Sequence, residues 1–267
     1  MEAVWTRYFP LSVYVREQIT SGRIGKLHRI HADNSLSLNP EESFAGEQHR
    51  MVNPDLAGGA LLDLGIYSLT WVFQCAYTTQ DKSKRQKPSV VTALKPYHKT
   101  GVDEMLTMLL SFPRSQEDGG DIHAVASTGM RTASDPTGDQ HSGGPSIRIW
   151  GDKGEVQVFP PAFRPTHTKL ILHDGTVEEK HWPMPGPGEG SGWKNGFGGN
   201  LNAEGEGHGM FFEADECGFA LLEGRTEGQY EDMEESVTIM EIMDEARKQG
   251  GLKYPDKIET LDYPVAL

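Results

Sequence analysis

The sequence predicts an α+β fold built on an open, mainly antiparallel β-sheet. Three observations carry this expectation. From Ser89 onward, short β-rich runs follow one another at Ser89–Tyr97, Val102–Phe112, Ile122–Arg131, Ser146–Trp150, Glu155–Phe159 and Lys169–His173. Turn signals separate them, among them Asp118-Gly119-Gly120, Gly151-Asp152-Lys153-Gly154 and Asp174-Gly175. Strands joined so closely pair antiparallel. The helical patterns lie before and after this run instead of alternating with it.

Taken in order, Leu11 to Ile19 reads as a helix that ends in the glycine-bearing turn Ser21-Gly22-Arg23-Ile24-Gly25. Lys26 to Leu38 alternates apolar and polar residues, a strand signal. Asn39 to Pro54 is polar and proline-bounded, a loop. Gly58 to Ala76 is the most distinctive stretch. Leu62, Ile66, Leu69 and Phe73 make an apolar stripe at helical spacing, and Leu61, Leu64 and Val72 cover much of the rest. A helix so apolar all round is buried on several sides. Asp63, Tyr67 and Trp71 recur four apart, on a shared face. A carboxylate and a phenol there need partners, or they cost stability. Near the end, Met210 to Leu222 and Met233 to Lys248 read as helices, closed by Gly224 and by Gly250-Gly251. The second carries Met233, Val237, Met240 and Met243 on one face. Residues 183–207 are rich in glycine and proline, a flexible loop by composition. Residues 252–267 are polar and read as an extended tail.

Composition narrows the class. The 267 residues suit a single domain, 1–267, and 36% hydrophobic with 24% charged content reads as soluble and globular. No apolar run approaches a membrane span, and the first residues do not read as a signal peptide. A net charge of −14 argues against nucleic-acid and membrane partners. The one basic cluster, Lys82, Lys84, Arg85 and Lys87, reads as a solvated loop. Two distant cysteines, Cys75 and Cys217, argue against a disulfide framework and for a cytoplasmic setting. His28 and His31 sit three apart on a strand, hence on opposite faces, and no ligand set for zinc is seen.

Four segments resemble one family. They are Glu2-Ala3-Val4-Trp5-Thr6-Arg7-Tyr8-Phe9-Pro10 with Ser21-Gly22-Arg23-Ile24-Gly25-Lys26; Gly58-Gly59-Ala60-Leu61-Leu62-Asp63-Leu64-Gly65-Ile66-Tyr67; Ile149-Trp150-Gly151-Asp152-Lys153-Gly154-Glu155; and Gly209-Met210-Phe211-Phe212-Glu213-Ala214-Asp215-Glu216 with Glu234-Glu235-Ser236 after it. Their order and spacing resemble the Gfo/Idh/MocA oxidoreductases, in the branch of dimeric dihydrodiol dehydrogenases and fungal NADP-dependent D-xylose dehydrogenases. The resemblance implies a sheet with helices packed on one face. It also implies a substrate domain without its Rossmann domain, because Met1 falls where the Trp-Thr-Arg segment opens. The family's NADP or NAD would then not be bound by this chain alone. The glycines of 186–199 follow no strand and open no helix, so they do not replace the missing phosphate cradle.

The same resemblance assigns Asp63 and Tyr67 as catalytic residues. Tyr67 would exchange a proton as carbonyl and alcohol interconvert, and Asp63 would position the substrate or the phenol. A phenol needs a nearby cation to act as a base near neutrality, and the family's lysine is not in this sequence. His208, just before a helix, is a further candidate acid or base. Trp5, Arg7 and Phe9 are candidate substrate contacts, Arg7 because a guanidinium near apolar segments wants an anion. Arg148 and Arg164 are weighed alongside it, against a plain surface role. Each candidate also has a structural reading: a satisfied helix pair for Asp63 and Tyr67, core aromatics for Trp5 and Phe9, a loop histidine for His208.

Three functions follow: an oxidoreductase-family protein acting on a small cyclic or polyhydroxylated substrate; a cofactor-independent isomerase, dehydratase, epimerase or cyclase using the Asp63/Tyr67 pocket; or a non-catalytic relic that binds a small molecule or a full-length relative. An exposed 58–76 helix or the sheet itself would support a homodimer or larger assembly.

Overall fold

The structure is a computed structural model that describes residues 1–44, 46–137, 143–194 and 204–264. Eight strands form one sheet: β1 (Leu27–Ser35), β2 (Ser89–Pro96), β3 (Asp103–Phe112), β4 (Ile122–Gly129), β5 (Ile147–Gly151), β6 (Gly154–Val158), β7 (His167–Leu172) and β8 (Val177–His181). Their order is β2-β3-β4-β1-β5-β6-β7-β8. Six of the seven neighbouring pairs in this order are antiparallel, and the central β1–β4 pair runs parallel. The expected α+β class with a mainly antiparallel sheet is what the chain adopts. The expected hairpin closes at Gly151 and Gly154, which face each other across β5 and β6. β8 escapes sequence reading because Val-Glu-Glu-Lys-His has no apolar alternation; it is an exposed edge strand, where charge is favoured.

Strict alternation sorts the two faces of the sheet. Leu106, Met108 and Leu110 of β3, Ala124 and Ala126 of β4, and Ile147 and Ile149 of β5 are fully buried on one face. Met105 and Leu109 of β3 and Val91 of β2 are exposed on the other. The helices cover only the buried face. They are α1 (Pro10–Thr20), α2 (Pro40–Ser43), α3 (Ile66–Ala76), α4 (Phe211–Leu222), α5 (Met233–Gly250) and α6 (Asp256–Glu259).

α3 lies against β1 and β4, with α1 and α5 beside it. Every residue from Ser68 to Ala76 is buried. Leu62, Asp63, Ile66 and Tyr67 stay half-buried, so most of the apolar surface of the 58–76 stretch, expected to be exposed, is used within the chain. α5 also differs from expectation. Its N-terminus is capped by the Asp232 side chain, which accepts from Glu235 N at 2.9 Å, and Gly251 closes it at φ 70°. The buried stripe is Ile239, Ile242, Met243 and Ala246, whereas Met233, Val237 and Met240 face solvent. The methionine spacing picked out the face one step away from the packed one.

The basic cluster is not merely solvated. Arg85 pairs with Asp232 at 2.6 Å and Lys87 with Glu241 at 2.6 Å, which ties the 82–87 segment to α5. Part of the 183–207 segment, residues 195–203, lies outside the described residues, as do 265–267 of the tail. Where described, the former is held by backbone bonds from Gly188 N to Gly205 O and from Gly205 N to Trp193 O. The tail contains one helical turn, α6, instead of running fully extended.

Candidate functional site

Gly58 to Ala76 is not one regular helix. Leu61–Gly65 forms a single π-helical turn that runs directly into α3. π-turns widen the backbone, leave bonding groups to be satisfied from outside, and are frequent at functional sites. Here the neighbouring strands supply the partners. Asn34 of β1 donates its side-chain amide to Leu64 O at 2.9 Å, and the buried carboxylate of Asp103, at the start of β3, accepts from Leu61 N at 2.5 Å. The turn carries Asp63, and Tyr67 sits just beyond it.

Both side chains open into one cavity of about 670 Å³. Apolar walls come from Leu36, Leu38, Met51 and Phe163, and polar groups from His49, Arg50 and Ser134. Arg50 forms an ion pair with Asp63. The phenol oxygen of Tyr67 accepts from the indole N–H of Trp5 at 2.9 Å. Phe163 packs beside both rings, 5.9 Å from Tyr67 and 6.4 Å from Trp5. Burial pushes the Tyr67 phenol above its ordinary range; the Trp5 hydrogen bond works against this, and the Asp63 charge adds to it. A phenol so held keeps its proton near neutrality and can donate it.

The remaining expected site residues lie elsewhere. Arg7 is wholly buried and pairs with the equally buried Glu235 at 2.5 Å, with a second contact to Tyr230 O at 3.3 Å. Its charge is answered inside the fold, so it does not line the cavity. Phe9 is a core ring, packed edge-on against Trp5 at 5.5 Å and against Phe212 at 6.0 Å. Arg148 lies on the sheet, paired with Glu155 at 2.7 Å and stacked over Trp150. Arg164 is buried and bonds Gly207 O at 2.7 Å, fastening the end of the 183–207 segment. His208 lies 5.7 Å from the Trp193 ring and does not line the Asp63/Tyr67 cavity. Arg50 and His49 were missed, since the 39–54 segment reads only as a polar loop. Asp103 was missed as well, being one acid at a strand start.

The comparisons with known proteins agree with this architecture. The model of the GFO/IDH/MocA C-terminal domain matches residues 13–157. The chain belongs to the Gfo/Idh/MocA family. The D-xylose 1-dehydrogenase (NADP(+)) of Hypocrea jecorina is 45% identical over 97% of this chain. The trans-1,2-dihydrobenzene-1,2-diol dehydrogenase of Bos taurus is 28% identical over 96%. The chain spans 62% and 63% of the lengths of these two relatives. With relatives aligned along nearly all of the chain, the expectation of a C-terminal domain alone is not supported. Among solved structures, a levoglucosan dehydrogenase in complex with NADH and levoglucosan superposes with a TM-score of 0.62 at 16% identity, covering 94% of this chain and 64% of that one. An aldose-aldose oxidoreductase from Caulobacter crescentus with glycerol gives 0.60 at 14% identity, covering 92% and 60%. At such identities these structures share the fold.

Several relatives carry NADP or NADH in their names, which raises the question of fit for the described residues. They do not form a dinucleotide cradle. The glycines at 186, 205 and 207 are used for backbone-to-backbone packing: a Cβ on Gly186 would lie 2.3 Å from Gly205 O, and one on Gly207 would lie 2.1 Å from Pro185 O. A strand, β8, does precede this segment, contrary to expectation, but residues 182–210 separate it from α4, so there is no tight strand-to-helix turn of the kind that receives a pyrophosphate. Among the described residues no helix is long and apolar enough to cross a membrane.

Proposed function

We propose that this chain provides the substrate pocket and proton-transfer groups of an NADP-dependent oxidoreductase acting on a small polyhydroxylated ring, a pentose such as D-xylose or a cyclic diol. One observation supports this most: Asp63 and Tyr67 share a single cavity, with the phenol oxygen fixed by Trp5 at 2.9 Å. The reading adds chemistry to that geometry. In the reducing direction Tyr67 gives its phenol proton to the carbonyl oxygen as the alcohol forms; in the oxidising direction the phenolate takes it back. Asp63, steadied by Arg50, accepts hydrogen bonds from substrate hydroxyls. The apolar walls exclude water and bear on the ring's carbon face. A homodimer through the uncovered face of the sheet, where Val91, Met105 and Leu109 are exposed, completes the proposal.

Calorimetric titration of the purified chain with D-xylose and with a vicinal cyclohexanediol tests the pocket. Saturable binding that weakens in Asp63→Asn is expected. The absence of binding to any polyol would overturn it. With a nucleotide-binding partner supplied, NADP-linked oxidation of D-xylose is expected to fall by roughly 10²- to 10⁴-fold in Tyr67→Phe, the usual worth of a positioned proton donor.

A further inference from the structure

The turn that carries Asp63 lacks a cap of its own. Ala60 precedes Leu61 and offers no side-chain bond to the exposed N–H groups of the turn. Such groups must find acceptors when buried. The acceptor comes from another part of the chain. Asp103, 42 residues away at the start of β3, is completely buried and places Oδ2 at 2.5 Å from Leu61 N. The sequence makes room for it. Gly59 lies beside Asp103 in an isolated parallel bridge, with φ 131°, and a Cβ there would fall 2.0 Å from Asp103 Oδ1. Any larger residue at 59 would evict the carboxylate. A single polar group has therefore been buried at the front of the turn, in a space only glycine leaves open. The far end of the turn is held by Asn34.

We infer that Asp103 is the positioning residue of the Asp63/Tyr67 site: as a cap supplied from β3 it fixes the π-turn, and through the turn it sets the direction of both side chains into the cavity. The inference rests on the proposed role of that pair, but the cap itself can be read without any activity. Burial raises the Asp103 carboxyl to about 7, against the stabilising backbone N–H groups of Leu61 and Ala60. The charged group facing it from α5 is Arg247, and the phenol of Tyr254 lies on the same side. The strength of the cap therefore changes across neutral pH, because a carboxylate accepts an N–H bond more strongly than a carboxylic acid does.

Trp5 reports on the site directly, since its indole N–H is bonded to Tyr67. The indole resonances of the ¹⁵N-labelled full chain, with Trp5 assigned through Trp5→Phe, read this bond. In Asp103→Ala the Trp5 resonance should move to the position it takes in Tyr67→Phe, while that of Trp71, bonded to Ala162 O, stays put. A folded Asp103→Ala chain with an unmoved Trp5 resonance would overturn the inference. Should Asp103→Ala fail to fold, Asp103→Asn keeps an acceptor and decides the matter by titration. The wild-type Trp5 resonance should shift with a midpoint near 7 and lose that shift in Asp103→Asn; its persistence would equally overturn the inference. In turnover, kcat should fall by about tenfold to a hundredfold in Asp103→Ala and recover largely in Asp103→Asn, with KM nearly constant. If Tyr67→Phe kept full activity, the functional reading would fail while the resonance test of the cap stood on its own.

Discussion

The indole N–H of Trp5 points at the phenol oxygen of Tyr67 from 62 residues away in sequence, at 2.9 Å. The bond joins the short 3₁₀ turn Trp5–Tyr8 to the start of α3 and orients the phenol into the cavity. It also favours the phenolate, offsetting part of the effect of burial. Replacing Trp5 by Phe keeps the ring packing against Phe9 and Phe163 but removes the donor. The Tyr67 titration, isolated by ultraviolet difference against Tyr67→Phe, should then move to higher pH. A midpoint unchanged in Trp5→Phe would mean that the bond does not tune the phenol.

Arg50 and Asp63 form an ion pair whose arginine is 67% exposed. Exposed pairs contribute under about 1 kcal/mol to stability. Arg50→Ala should therefore leave the denaturation midpoint almost unchanged. Its effect should appear in ligand binding, because Asp63 loses the group that steadies it: KM for the polyol should rise with a smaller change in kcat. A large loss of stability with normal KM would assign the pair a structural role instead.

How much of this was legible in the sequence depends on the distance over which each residue finds its partner. The strands and the alternation of β3 are local, and all strands but β8 were read to within a few residues. The apolar pattern of Gly58–Ala76 correctly implied burial, and it correctly implied that Asp63 and Tyr67 need partners. The identity of those partners was out of reach, since Trp5 and Asp103 arrive from distant segments. Arg7 shows the same limit from the other side. A guanidinium among apolar residues does seek an anion, but the anion is Glu235 of α5, inside the fold, and not a ligand. The methionines of α5 misled because spacing defines a face without saying which neighbour covers it.

Two buried carboxyls set an unusual pH dependence. Burial raises Asp103 from 3.8 to about 7 and Glu231 from 4.5 to about 7, the latter opposed by Arg7. A raised folded-state value means that the native state holds the proton more tightly than the unfolded chain. The associated stability is fully present below the unfolded values near 4 and is lost as pH rises through about 7. Between pH 5 and 8 Asp103 alone should cost on the order of 2 kcal/mol. Urea melts at the two pH values should show the decline, and Asp103→Asn should flatten it. An equally steep decline in Asp103→Asn would assign the effect to other groups.

Arg7 and Glu235 offer the sharpest separation between structure and function. Both side chains are fully buried, and Arg7 lies within reach of Glu231 as well. Burial works against the Arg7 charge, yet the two glutamates more than offset it and hold the guanidinium protonated. Removing one partner leaves the other charge buried and unanswered, a loss of about 3–5 kcal/mol. Arg7→Ala and Glu235→Ala should each destabilise by about that amount in denaturant melts. The pair replaced together, Arg7→Met with Glu235→Leu, fills similar volume without charge and should recover most of the loss, because desolvating two ions costs nearly what their attraction returns. Polyol binding should survive in the double variant, since neither group lines the cavity. A double variant that is stable but has lost all binding would restore Arg7 to the substrate site.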